Sequence, residues 1–170
     1  MSTSIASVKG IGLLCTLSGT MDIRTKDGRV TADTLTGSIK LNSGDGEVIG
    51  THLDGKCEAA SHDGRVHISG RFDALDVKSG DGEVSARIEA GSQMTSTWNI
   101  ASRDGAINVE IPRDLKADLD ASTRDGHISL GLPVEVQGDL GKSKVNGKLN
   151  GGGPTLIIHT DDGSIRLNGI

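Results

Sequence analysis

Seven aspartates of this 170-residue chain share one setting: Ser or Thr, any residue, Asp-Gly, any residue, then Val or Ile. Asp27, Asp45, Asp63, Asp81, Asp104, Asp125 and Asp162 each precede a glycine, namely Gly28, Gly46, Gly64, Gly82, Gly105, Gly126 and Gly163. Stacked in a column, their carboxylates would suit Ca²⁺, a hard cation that takes about six to eight oxygens. The same grammar also has a purely structural reading. Asp opens a tight turn by accepting a nearby backbone N–H, and Gly occupies a φ > 0 position that a Cβ would penalise. The structural reading is favoured, because the motif lacks the spaced Gly-Gly-x-Gly-x-Asp pattern of calcium-binding solenoids. These Asp and Gly residues are therefore expected to be turns, with no metal and no cofactor.

Other reactive residue types do not converge along the sequence. His52, His62, His67, His127 and His159 fall at different phases of the repeat, and no Ser or Cys is accompanied by a His at a suggestive spacing. Gly151-Gly152-Gly153-Pro154 is glycine-rich, but no Lys follows and it leads into a strand pattern, so it is a poor phosphate cradle. Cys15 and Cys57 differ in phase and are expected to be two buried free thiols. Catalytic residues are expected to be absent, and the chain is expected not to be an enzyme.

The elements that position these residues follow from spacing. The glycines of the first four motifs lie 18 residues apart, and a gap of 37 precedes the last. Periods of this size point to a solenoid. The long gap predicts one coil without the motif between Val134 and Gly153. Apolar residues alternate before each motif, as in Met21 and Ile23, Ile39 and Leu41, Cys57 and Ala59, or Trp98 and Ile100. A third apolar column follows it: Val30, Val48, Val66, Val84, Ile107, Ile128 and Ile165. Period-2 alternation makes each segment a strand with one inward face. Gly19, Gly37 and Gly55 mark a second bend per coil. The insertion from Glu89 to Thr97 is expected to bulge from the coil. No helix is predicted.

An Asp-Gly pair is also a hairpin signal, so an antiparallel barrel competes with the solenoid. A hairpin would set Lys26 against Arg29 and His62 against Arg65, like against like. A solenoid stacks Arg29, Glu47, Arg65 and Glu83 as an alternating ladder, which favours it. The predicted fold is all-β, a single-stranded parallel β-helix of 18-residue coils forming one domain over residues 1–170. Residues 17–167 carry the repeats and 1–16 are a lead-in or cap. About eight such coils would make a rod of roughly 40 Å.

Composition narrows the function. With 34% apolar residues, one Phe, one Trp and no Tyr, the core is a thin aliphatic stack without aromatic platforms for single-stranded nucleic acid. The net charge of -5 is interspersed, with no basic block for phosphates, so nucleic acid is not an expected partner. No apolar run reaches the ~18 residues of a membrane span, and Met1 to Gly10 lacks a signal-peptide pattern, so no membrane insertion is expected. That leaves an intracellular protein or an exported one whose leader or anchor has been removed. The mixed charges of the outer columns and the lack of persistent Thr rows argue against ice binding.

The Ser/Thr-x-Asp-Gly-x-Val/Ile repeats, the lead-ins Leu35-Thr36-Gly37 and Leu53-Asp54-Gly55, and Leu149 to Pro154 followed by Thr160 to Ile165 resemble a bacterial adhesin-type family, a group of domains of unknown function. The resemblance covers roughly Leu17 to Leu167. It implies a β-solenoid, often part of a larger exported or membrane-attached bacterial protein, with no enzymatic residues to carry over. A weaker resemblance runs to bactofilins, β-helical filament formers. The expected function is a structural or adhesin-like module presenting an extended surface, with an outer sheet face or the insertion near Gly91 as the candidate binding surface. Its expected partners are itself, end to end or side by side, or a cell-surface ligand. The alternatives are a bactofilin-like filament and, less favoured, a carbohydrate-active β-helix enzyme.

Overall fold

The computed structural model describes residues 2–5, 12–136 and 141–170, with side chains from Ser18 onward. Among these residues there is no helix, and all strands belong to one 14-stranded sheet that curls around an apolar interior. Strands β2 (Gly12–Thr25), β3 (Val30–Ser43), β4 (Val48–Ser61) and β5 (Val66–Ser79) lie parallel, each one coil above the last. Val30 pairs with Val48 and Val48 with Val66, so the 18-residue period of the sequence is the coil of the fold. The predicted lead-in falls partly outside the described residues. Within them, β1 (Ser2–Ile5) pairs parallel with Thr20 to Ile23 of β2.

Every apolar residue in the three columns is buried except Ile128, which is half-buried at one end of the stack. Burying an aliphatic side chain contributes about 1.5–3 kcal/mol, so a one-residue slip, which would turn each column outward, is strongly opposed. Cys57 is buried and unpaired, and burial pushes its thiol up to about 12, far from the reactive thiolate form. The Cys15 side chain lies outside the described residues.

From β6 (Val84–Ile88) onward each coil is split into two strands. β7 (Trp98–Ser102), β8 (Ile107–Ile111), β9 (Ala117–Thr123) and β10 (Ile128–Gly131) complete two further half-coils on each side. The insertion expected to bulge instead lies along β5. Gln93 N donates to Phe72 O at 3.1 Å, Thr95 N donates to Asp73 O at 3.0 Å, and Trp98 Nε1 also donates to Asp73 O. Trp98 is buried, whereas Gly91, Gln93, Thr95, Ser96 and Thr97 of the insertion stay exposed.

The motif-free coil expected between Val134 and Gly153 does not form. β11 (Glu135–Val136) and β12 (Lys144–Leu149) run antiparallel instead, and β12 covers the outer edge of β9. The uniform parallel helix of eight coils is corrected accordingly to a mixed sheet. A second difference concerns order. β13 (Thr155–Thr160) pairs with both β7 and β9, and β14 (Ile165–Gly169) with both β8 and β10. The segment latest in sequence is therefore threaded between two earlier coils.

Candidate functional site

The Asp-Gly turns form one straight edge of the coil. At six of the seven, the glycine N–H is bound by the motif's own Ser or Thr, as in Gly46 N to Ser43 Oγ and Gly64 N to Ser61 Oγ, both 3.0 Å. The same hydroxyl donates to the glycine carbonyl of the coil before it: Ser43 to Gly28, Ser61 to Gly46, Ser79 to Gly64 and Ser102 to Gly82. The chain of bonds then follows the threaded order, Thr160 to Gly105 and Thr123 to Gly163. Ser or Thr does the work expected of Asp. The signal for it was the strict Ser or Thr at that position, to which the sequence reading assigned no role.

The role expected of the glycines is also corrected. None of the Asp-Gly glycines has positive φ. They are glycines because a Cβ on each of the six from Gly46 to Gly163 would collide with the carbonyl oxygen of the glycine stacked beneath it. Positive φ belongs to the other column, Gly19, Gly37 and Gly55, at 127°, 119° and 113°.

Asp27, Asp45, Asp63, Asp81, Asp104, Asp125 and Asp162 are all exposed on the turn edge. Arg103 bridges Asp81 and Asp104, and its guanidinium holds the Asp81 carboxyl below the usual range. Among the described residues, no three His, Cys, Asp or Glu side chains are placed to hold a metal ion. The expected charge ladder is partial. Arg29 pairs with Glu47 at 3.0 Å, whereas Glu83 accepts from Asn108. A further pair, Lys40–Glu58 at 2.6 Å, ties neighbouring coils on the other face.

The opposite edge is irregular, and sequence reasoning singled out only one part of it, the insertion near Gly91. Thr34 and His52 adopt left-handed backbones, φ 55° and 51°, a conformation that costs a β-branched or bulky residue energy. Beside them the β4–β5 register shifts between Gly50 and Leu53 and again after Gly55. Asp33 Oδ1 accepts from Thr51 Oγ1 at 2.7 Å and meets His52 Nδ1 at 2.8 Å. This hydrogen bond is the main reason why the imidazole titrates above its ordinary value, with the Asp33 charge adding to it. Arg71 pairs with Asp54 next to it. A cavity of about 410 Å³ opens here between Thr36, His52, Asp54, Arg71 and Glu89. A second, about 380 Å³, lies along the same edge between the 91–94 insertion and Pro112, Leu115 and Lys116. The break in spacing at Glu89 to Thr97 pointed to the second, whereas nothing in the spacing announced the first, whose residues come from coils of unequal length.

Arg71 donates through one nitrogen to Asp54, leaving guanidinium N–H groups for a ligand. With Glu89 opposite and hydroxyls at Thr34 and Thr36, the groove offers both donors and acceptors and no apolar floor beyond Leu53. Such a surface binds polar groups by hydrogen bonding and charge. It contains no nucleophile and base held together.

Residues 69–168, more than half of the chain, match the family model described as Toastrack DUF4097. No curated protein matches, and no solved structure matches.

Proposed function

The chain belongs to the Toastrack DUF4097 family, a domain of unknown function. We propose, from the geometry of its irregular edge and not from that membership, that it is a non-enzymatic, adhesin-like module. In this reading it is a solenoid-like curled sheet that presents its irregular edge to a polar partner, and the groove at His52 and Arg71 is the contact surface. One observation carries the proposal. The two left-handed residues, Thr34 and His52, sit at the rim of a groove lined by ionisable side chains, and strain of this kind persists where a site requires it. The partner is a mixed-charge or hydroxyl-rich cell-surface ligand. A carbohydrate-active enzyme has less support, because in the groove Asp54 is paired with Arg71 and His52 with Asp33, so these groups are already engaged with each other. End-to-end filaments have less support, since antiparallel β12 occupies the edge of β9.

A panel of acidic and neutral polysaccharides and peptides, screened by biolayer interferometry with product analysis, tests this reading. The expected result is binding without turnover that weakens at least tenfold in Arg71→Ala. Cleavage of any panel member, or binding indifferent to Arg71→Ala and His52→Ala together, would overturn it.

A further inference from the structure

The threading of Thr155–Gly169 makes a slot. On one sheet face β13 has parallel partners on both sides, Leu156 pairing with Trp98 and with Leu119. On the other, β14 does the same, Ile165 pairing with Ile107 and with Ile128. The walls of the slot, 98–111 and 117–131, come from earlier chain. The chain builds the second wall, turns back through the antiparallel β11–β12 pair, and only then fills the gap.

The link that carries the filling segment is built as a hinge. Asn150, Gly151 and Gly152 are left-handed in succession, φ 51°, 87° and 86°, and a Cβ on Gly151 would meet nothing within 4 Å. The turn is closed by Gly152 N, which donates to Leu149 O at 3.1 Å. It is tied down by Asn150 Nδ2, which donates to Arg113 O and Leu115 O, both 2.8 Å, and by Pro154 O, which accepts from Asp118 N at 3.1 Å. The link must pass from β12 on one side of β9 to β13 on the other, about 10 Å across two strand spacings. Recognition inside the slot uses backbone ladders, aliphatic columns and the Thr160 hydroxyl to Gly105 O, features every coil of this chain carries. Nothing in that set requires the filling segment to come from the same molecule.

We propose that Thr155–Gly169 is an exchangeable insert, and that its slot accepts the same segment from a second copy of this chain to give reciprocally exchanged dimers. Withdrawal from the folded protein breaks ladders on both sides of both strands, so exchange takes place during folding. A short link holds the segment at an effective concentration in the ~mM range. The closed monomer therefore dominates dilute refolding, and exchanged dimers form on concentrated refolding or when the hinge cannot turn. This inference stands apart from the ligand-binding reading of the opposite groove.

Two experiments on the full chain test it. A protease site placed between Gly151 and Gly152 allows the folded protein to be nicked. The piece 152–170 should stay bound through native size exclusion and, after a cycle through denaturant with excess fluorescent peptide of that sequence, be replaced by it at close to one per chain. A peptide carrying Thr160→Val and Gly163→Val should be excluded. Failure of the nicked halves to reassociate, or equal uptake of the control peptide, would overturn the insert. Separately, Gly151→Pro with Gly152→Pro forbids the left-handed turn and should raise the dimer fraction at least tenfold by light scattering after refolding. A folded, wholly monomeric double variant would overturn exchange between copies.

Discussion

The two edges of the coil differ in how far they repeat. The motif edge keeps one construction from the turn at Asp27 to the turn at Asp162, threaded segment included, with the same hydroxyl-to-glycine bonds and the same glycine stack. The opposite edge changes at nearly every coil. It passes from Gly37 and Gly55 to the shifted register before Gly70, then to the 89–97 insertion, the 112–116 loop and the 150–154 hinge. Both large cavities lie there, and the two left-handed threonine and histidine positions as well. A strictly repeated edge fixes the winding, which leaves the other edge tolerant of insertions and strain.

The sharpest test of that contrast exchanges glycines. In Gly64→Val a branched side chain would collide with the Gly46 carbonyl inside a stack that cannot spread without breaking neighbouring turns. Destabilisation on the order of 3 kcal/mol is expected by urea denaturation, at the upper end for overpacking. Gly151→Ala, on the open edge, should cost about 1–2 kcal/mol, from its backbone conformation alone. Equal losses would mean that the motif edge is no more rigid than its opposite.

A second test separates the two residues of the motif. Ser61 is buried, accepts from Gly64 N and donates to Gly46 O at 2.9 Å, so Ser61→Ala leaves both groups unpaired. A loss of about 2 kcal/mol is expected. Ser61→Thr should be close to neutral, since Thr fills the same place at 123 and 160. Asp63→Ala, at an exposed position, should stay within about 0.5 kcal/mol. A larger loss at Asp63 than at Ser61 would restore Asp as the turn former.

These contrasts also mark what the sequence could tell. The coil length, the inward columns from Met21 to Ile165 and the parallel sense of the regular coils were legible, because the 18-residue spacing and period-2 alternation give stacked strands and the like-charge clash at Lys26 and Arg29 disfavours hairpins. The threading was not. Thr160 to Ile165 carries the same grammar as Thr123 to Ile128, so either could sit beside Ser102 to Ile107. The gap of 37 residues fits a degenerate coil as well as an antiparallel excursion. The groove at His52 was illegible for a different reason. A left-handed Thr34 runs against the preference of a β-branched residue, and only the surrounding structure forces it.

That forced conformation gives a third test. Thr34→Asn removes the β-branch, and Asn tolerates the left-handed region, so a gain of roughly 1 kcal/mol is expected in thermal or urea melts. If the strain serves the groove, the stabilised variant should bind its ligand no better than the parent. A loss of stability would mean that Thr34 makes compensating contacts that outweigh its backbone.

The smallest effect tests whether the irregular edge responds to pH. The hydrogen bond to Asp33 and the charge behind it raise the His52 pKa above its ordinary 6.5, with Glu89 adding to the attraction. Bonds from His52 and Thr51 lower the Asp33 pKa below 3.8. A raised histidine stabilises the fold fully below about pH 6.5, and the contribution fades as pH rises through the higher folded value. A lowered carboxylate stabilises above about pH 3.8, and its contribution fades as pH falls through the lower folded value. The pair is therefore strongest between those two limits. The melting difference between parent and His52→Ala should be small, greatest near pH 5, and should shrink as pH rises above 6.5, because both side chains are well exposed and salt screens them. On the motif edge His62, 3.7 Å from Asp63 and not lodged in a strained corner, supplies the control. If His62→Ala reproduces the same pH profile, the response belongs to exposed histidines in general and the groove loses its distinction.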